Sequence, residues 1–225
     1  MENKMGTMEI KKLIITMSLP IMISMLVQAL YNIIDSMFVA RVSEDALAAV
    51  SLCYPIQMIM VAVACGTGVG INAMLSRYLG EKKQEKANQV AAHGLFTAIC
   101  NWIVFALIGI FFSRKFLQLF SNDPAIIDMG ISYMRVCTIL SFGVFVEITY
   151  ERIMQSTGNT IYNMIIQGIG AIVNIILDPI FIFGMFHLPA MGVTGAAIAT
   201  VIGQIIAMLI GIVITQKKVK EVQIS

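Results

Sequence analysis

The sequence predicts an all-α polytopic membrane protein with six transmembrane helices. Of its 225 residues, 58% are hydrophobic and only 12% are charged, about half the charge of an average soluble domain. Mean hydropathy is +0.86. Together these values exclude a soluble globular domain, a disordered chain, collagen and a disulfide-rich secreted scaffold. Six apolar stretches, each long enough for the about 20 residues that cross a hydrocarbon core, separate at polar punctuation.

The stretches lie near 13–39, 50–76, 90–112, 126–150, 161–184 and 193–215 of a single lobe over 1–225. The first is too long for the apolar core of a signal peptide, which runs about 7–15 residues. It stops at Arg41-Val42-Ser43-Glu44-Asp45. The second carries Pro55 and the run Gly66-Thr67-Gly68-Val69-Gly70, and stops at Arg77. That run lacks the spacing and the lysine of a phosphate loop, so helix packing is its expected role. The third ends at Ser113-Arg114-Lys115, and Phe116, Leu117, Leu119 and Phe120 predict a short amphipathic piece at the interface. Ser121-Asn122-Asp123-Pro124 predicts the next helix start, with Asp123 as N-cap and Pro124 at the first helical position. The fourth and fifth part between Glu151 and Thr160, and the fifth and sixth between Phe186 and Gly192. The sixth repeats a small residue every four positions, Gly195, Ala199, Gly203, Ala207 and Gly211, so a neighbouring helix is expected to approach closely there.

Charge sets the expected orientation. With a cytoplasmic N-terminus, Lys4, Lys11, Lys12, Arg77, Lys82, Lys83, Lys86, Arg152, Lys217, Lys218 and Lys220 fall inside. Arg41, Arg114, Lys115 and Arg135 then make up the rest of the 15 basic residues. The positive-inside rule favours this arrangement in a cell membrane, with both termini cytoplasmic. The formal net charge of +2 and the scatter of basic residues through loops give no nucleic-acid stripe. Cys53, Cys65, Cys100 and Cys137 each lie in an apolar segment, as small buried hydrophobes do. His93 and His187 are isolated, so no metal site is expected from them. No nucleophile, base and orienter pattern appears, and the chain is not expected to be an enzyme or to carry a cofactor.

Two aspartates inside apolar stretches carry the functional signal. A carboxylate at the bilayer centre costs about 2.5–3.5 kcal/mol on insertion scales and marks an ion or proton pathway by default. Asp35 sits in Tyr31-Asn32-Ile33-Ile34-Asp35-Ser36, where Tyr31 and Asn32 share its helix face. Asp178 sits in Asn174-Ile175-Ile176-Leu177-Asp178-Pro179, four residues after Asn174. Such oxygen sets suit H⁺ or Na⁺. The plainer alternative is that each aspartate only joins a structural hydrogen-bond pair between helices. Pro20 and Pro179 each free a carbonyl inside a span, and both are candidates for helix bending. Thr200 on the small-residue helix is placed to offer an oxygen to Asp178 if the fifth and sixth stretches pack together. Glu147 and Glu151, a like-charge pair four residues apart, and Gln57 are candidates for a gate or cavity lining. A salt bridge from the pair to Arg152 or to another helix is the structural alternative.

Several of these segments resemble the multidrug and toxic compound extrusion (MATE) family, in its order and near its spacing. They are Ser18-Leu19-Pro20, Tyr31 to Val39, Ala46 to Val50, Gly66 to Gly70 followed by Ser76-Arg77-Tyr78-Leu79-Gly80, Gln155 to Thr160, Asn174 to Pro179 and Gly192 to Thr200. The bacterial drug-exporting branch is the most similar. The resemblance implies the N-terminal six-helix lobe of a two-lobe secondary transporter that exports organic cations and other amphipathic compounds by H⁺ or Na⁺ antiport. It implies a coupling-cation site, for H⁺ or for Na⁺, at Asp35, Asn174, Asp178 and Thr200 with Tyr31 nearby, and a bending role for Pro20. It covers one lobe only. A truncated or split reading frame, or a homodimer in which a second copy supplies the other lobe, is therefore expected. Two other readings stay open: a flippase for lipid-linked oligosaccharides, which would want a more cationic cavity, and a non-transporting membrane scaffold.

Overall fold

A computed structural model describes residues 8–219 and 221–222; Lys4 and Lys220, both used in the orientation argument, lie outside the described residues. Seven helices run in order: α1 Ile10–Ala40, α2 Glu44–Gly80, α3 Gln84–Gln118, α4 Pro124–Ile139, α5 Phe142–Ser156, α6 Thr160–Phe183 and α7 Gly192–Lys218. Five of them are long and apolar enough to cross a membrane. The short pair α4 and α5, bent by 43° at their junction, makes a sixth, broken span.

Local chemistry explains the helix starts. Ser43 caps α2 by accepting from the Ala46 N–H at 3.0 Å, and Glu44 and Asp45 complement the helix dipole in the first turn. Asp123 caps α4 by accepting from the Ala125 N–H at 2.8 Å, with Pro124 next. Gly184 ends α6 in the left-handed region (φ +73°), where a Cβ would run into the backbone of Leu188 and Ala190. The amphipathic piece expected before Ser121 does not exist as a separate element. Helix α3 continues through Phe116 and Leu117 to Gln118, because Leu117 is fully buried against Gly130 and the Ile127 cluster of α4.

The α4–α5 break has no proline or glycine-proline signal. Three contacts hold it. The Trp102 indole N–H of α3 donates to the Ile139 carbonyl at 2.8 Å, and the Ser141 hydroxyl donates to the Thr138 carbonyl at 2.7 Å. Gly143 lets the start of α5 lie against the backbone of α7, where a Cβ would meet Ile205 N at 3.2 Å. Freed carbonyls at a mid-membrane break need such partners. Trp102, which composition marks only as mid-span, is thus the donor that closes the break.

Helix α5 runs through the middle of the lobe, buried on nearly every side against α2, α3 and α7. Helices α6 and α7 pack most closely, along the expected ridge. A Cβ on Gly203 would lie 2.9 Å from the Gly170 carbonyl oxygen, and one on Gly195 would lie 2.6 Å from Phe181 backbone atoms. Close backbone approach of this kind is how helices associate where burial from water contributes little. Gly68 has a comparable role in α2, where the Arg152 side chain crosses it. Helix α1 rests chiefly on α6 and otherwise presents Ile14, Leu19, Met22, Leu26 and Met37 outward. The turns at 81–83 and 157–159 share one end of the bundle with the N-terminus of α1 and the C-terminus of α7. This is the basic end, with Arg77, Lys82, Lys83, Lys86, Lys217 and Lys218. Arg135 is exposed on α4 toward the opposite end.

Candidate functional site

The site forms where α1, α6 and α7 meet, in their halves away from the basic end. Asp178 is fully buried, and Asn174, Asp35 and Thr200 are 3%, 7% and 9% exposed. The α6 periodicity puts Asn174 one turn before Asp178 on the buried face, and the close α6–α7 contact brings Thr200 to the same place. The Asn174 amide bridges the two. In the orientation that satisfies every group, its NH₂ donates to Asp178 Oδ2 at 3.2 Å. Its oxygen then accepts from the Thr200 backbone N–H at 3.1 Å and hydroxyl at 3.2 Å. Thr200 therefore reaches Asp178 through Asn174 and not directly.

Asp35 differs from its sequence expectation. Neither Asn32 nor Tyr31 pairs with it, and its Oδ1 is buried without a hydrogen-bond partner. Asn32 turns toward an outer groove between α1 and α2 with Ser36 and Tyr54, and its carbonyl accepts from the Ser36 hydroxyl at 2.9 Å. Tyr31 instead contacts Gln28. The packing of α1 on α6 sets this rotation and aims Asp35 inward, where its charge acts on Asp178. Two carboxylates in one dry site repel unless a proton or a cation sits with them. Asp35 thus has an acceptor oxygen without a donor, and Asp178 accepts from one donor, the Asn174 amide.

Pro179 follows Asp178 within α6, and Pro20 is buried in α1, where its carbonyl accepts from the Ser24 hydroxyl at 3.0 Å. Gln57 of α2 lies deeper in the same interior. Its side-chain nitrogen donates to the Tyr133 hydroxyl at 3.3 Å and to Cys137 Sγ at 3.5 Å, both on α4. Tyr133 is 2% exposed and within reach of the Asp35 charge. Sequence reasoning missed Tyr133. Its neighbour at helical spacing, Cys137, reads as one more small apolar residue, and its other partner, Gln57, lies on another helix.

Glu147 and Glu151 do not join the aspartates. They sit on α5 nearer the basic end, 9% and 4% exposed. The expected salt bridge to Arg152 does not form: the guanidinium donates to Gln155 Oε1 at 2.7 Å and to Cys65 Sγ at 3.5 Å, toward α2. All four cysteines are free. Among the described residues no group of three or more His, Cys, Asp and Glu is placed to hold a metal ion.

Long apolar helices that bury two carboxylates away from the basic end define a polytopic α-helical membrane protein. The MatE family model matches residues 20–180, and the chain belongs to that family. It is 28% identical over 203 residues to "Probable multidrug resistance protein YoeA" of Bacillus subtilis, a match covering 88% of this chain and 43% of that protein. It is 30% identical over 201 residues to an "FAD transporter" of Shewanella oneidensis, with 88% and 44% covered. Among solved structures, a MOP superfamily transporter from Pyrococcus furiosus superposes with a TM-score of 0.86 at 30% identity, over 96% of this chain and 47% of the other. The chain spans about half the length of the relatives it matches.

Proposed function

We propose that this chain is the N-terminal lobe of a secondary active transporter that exports organic cations or other amphipathic compounds, coupled to inward movement of H⁺ or Na⁺. The buried set Asp35, Asn174, Asp178 and Thr200, with one carboxylate oxygen left unpartnered, is the observation that carries this reading. Tyr31 lies beside that set, and Gln57, Glu147 and Glu151 extend the polar interior toward the basic end. In this reading the basic end faces the cytoplasm of a cell membrane and both termini are cytoplasmic. The entering cation supplies about 2.3 kcal/mol per elementary charge per 100 mV, in addition to its concentration gradient.

Cation arrival cancels the Asp35–Asp178 repulsion and draws α1 toward α6, with Pro20 and Pro179 absorbing the change in curvature. Substrate release and cation uptake then compete for the α1 face. The other wall of the pathway belongs to a second lobe, on the same polypeptide or on a second copy of this chain; parallel repeats permit either. Efflux of a fluorescent organic cation from intact cells that make the protein tests the mechanism. Asp35→Asn and Asp178→Asn should each abolish cation-driven transport. Undiminished, cation-dependent efflux in both variants would refute it.

A further inference from the structure

The α5–α6 contact near the basic end holds a second group of buried polar side chains, outside the Asp35–Asp178 set. Glu147 and Glu151 lie one turn apart on one face of α5, and Asn163 and Gln167 lie one turn apart on one face of α6. The two faces meet. The Asn163 amide nitrogen donates to the Glu151 backbone carbonyl at 3.1 Å, and Gln167 contacts the Glu151 carboxylate. The oxygens are then left over. Glu151 Oε1, Asn163 Oδ1 and Gln167 Oε1 are all buried and have no hydrogen-bond partner. Glu151 and Asn163 are 4% and 2% exposed. Buried side-chain acceptors normally find donors. Here, within one contact of two short helix faces, several acceptors face no donor at all.

Charge points the same way. Two carboxylates are buried in the centre of the lobe and act on each other. The nearest cation, Arg152, donates through its two terminal nitrogens to Gln155 and Cys65, carries its stem over Gly68 and keeps a buried, unpartnered Nε, so it offsets one charge without bonding to either carboxylate. One negative charge remains without a partner, and a buried charge persists only when paired. Carboxylate and amide oxygens without thiolate or imidazole match a hard cation, and the single residual charge matches a monovalent one.

We infer that Glu147, Glu151, Asn163 and Gln167 form a second cation site, separate from the Asp35–Asp178 set, that binds one Na⁺. The experiment is equilibrium binding of radioactive Na⁺ to the full chain in lipid nanodiscs, with choline replacing Na⁺ at constant ionic strength. The double variant Asp35→Asn, Asp178→Asn should keep one saturable Na⁺ site per chain. Adding Glu151→Gln should remove it. In the otherwise unaltered chain, Gln167→Leu leaves the charges in place and should weaken binding at this site about tenfold, the scale on which supporting oxygen partners act. No saturable Na⁺ binding in the double aspartate variant would overturn the inference, as would binding that Glu151→Gln leaves unchanged. A proton held on Glu151 in place of Na⁺ gives the first of these results. Failure of the transport reading looks different, because Na⁺ would still bind here while Asp35→Asn and Asp178→Asn left efflux intact.

Discussion

The α6–α7 contact makes the sharpest quantitative prediction. The Cβ of Gly203→Ala would sit 2.9 Å from the Gly170 carbonyl oxygen, with the Asn174 backbone and side chain also against it. That is roughly half an ångström inside ordinary van der Waals contact, and backbone cannot rotate out of the way as a side chain does. Overpacking of this kind costs about 1–3 kcal/mol, and alanine returns up to about 1 kcal/mol through its better helix propensity. The expected net loss is therefore about 0–2 kcal/mol. Gly168→Ala on α6 has nothing within 4 Å of its new Cβ, so only the propensity term acts and it should stabilise by up to about 1 kcal/mol. That term is common to both variants, so the pair should differ by the overpacking cost, about 1–3 kcal/mol. Unfolding in mixed detergent–SDS micelles, followed by the fluorescence of the single tryptophan, Trp102, measures both. Equal stability of the two variants would show that α6 and α7 do not approach at Gly170 and Gly203. The same displacement would separate Asn174 from Thr200, so Gly203→Ala should also weaken cation binding while Gly168→Ala leaves it unchanged.

Trp102→Phe keeps an aromatic ring against Phe142 but removes the donor to the Ile139 carbonyl. It should destabilise the lobe by about 1–3 kcal/mol in the same detergent–SDS unfolding, followed for this variant by far-UV circular dichroism, since a buried acceptor is left unmet. Asp123→Ala removes the cap on α4 and should cost about 1 kcal/mol, seen as faster amide exchange at Ala125, whose N–H Asp123 accepts. At the turn between α2 and α3, Glu81 accepts from Lys83 Nζ at 2.7 Å and from Arg77 Nε at 2.9 Å, which holds its carboxyl down at about 2, below its usual 4.5. A depressed folded value means the clamp is fully present above about pH 4.5 and is lost as pH falls through about 2. Carbonyl-carbon NMR of Glu81 should titrate in that low window, and Lys83→Met should move the midpoint up toward 4.5. An unchanged midpoint would mean that the clamp does not form in solution.

The sequence made the helices legible because apolar length and polar punctuation are local signals. The start of α4 at Asp123-Pro124 and the small-residue ridge of α7 are local in the same sense. The grouping of Asn174, Asp178 and Thr200 was also legible, since helical spacing places the first two together and the ridge brings α7 onto α6. What escaped depends on partners far along the chain. The break before α5 draws on Trp102 and Ile205, far along the chain, as well as on Ser141. The inward aim of Asp35, away from Asn32, follows from how α1 sits on α6. The arc Gln57–Tyr133–Cys137 joins residues more than 70 positions apart. The alternative Glu151–Arg152 pairing does not form because neighbouring positions on a helix point about 100° apart, and Arg152 finds Gln155 on its own helix and Cys65 on α2.

The unequal support of the helices divides the aspartate site mechanically. Asn174, Asp178 and Thr200 ride on α6 and α7, which are locked backbone to backbone and can shift only as one body. Asp35 rides on α1, which leans on α6 and has little else to hold it. Under the proposed mechanism the site is thus a vice with a fixed jaw of three residues and a moving jaw of one. Work done by closing it would be delivered to a single helix, and the rest of the lobe would have no need to repack.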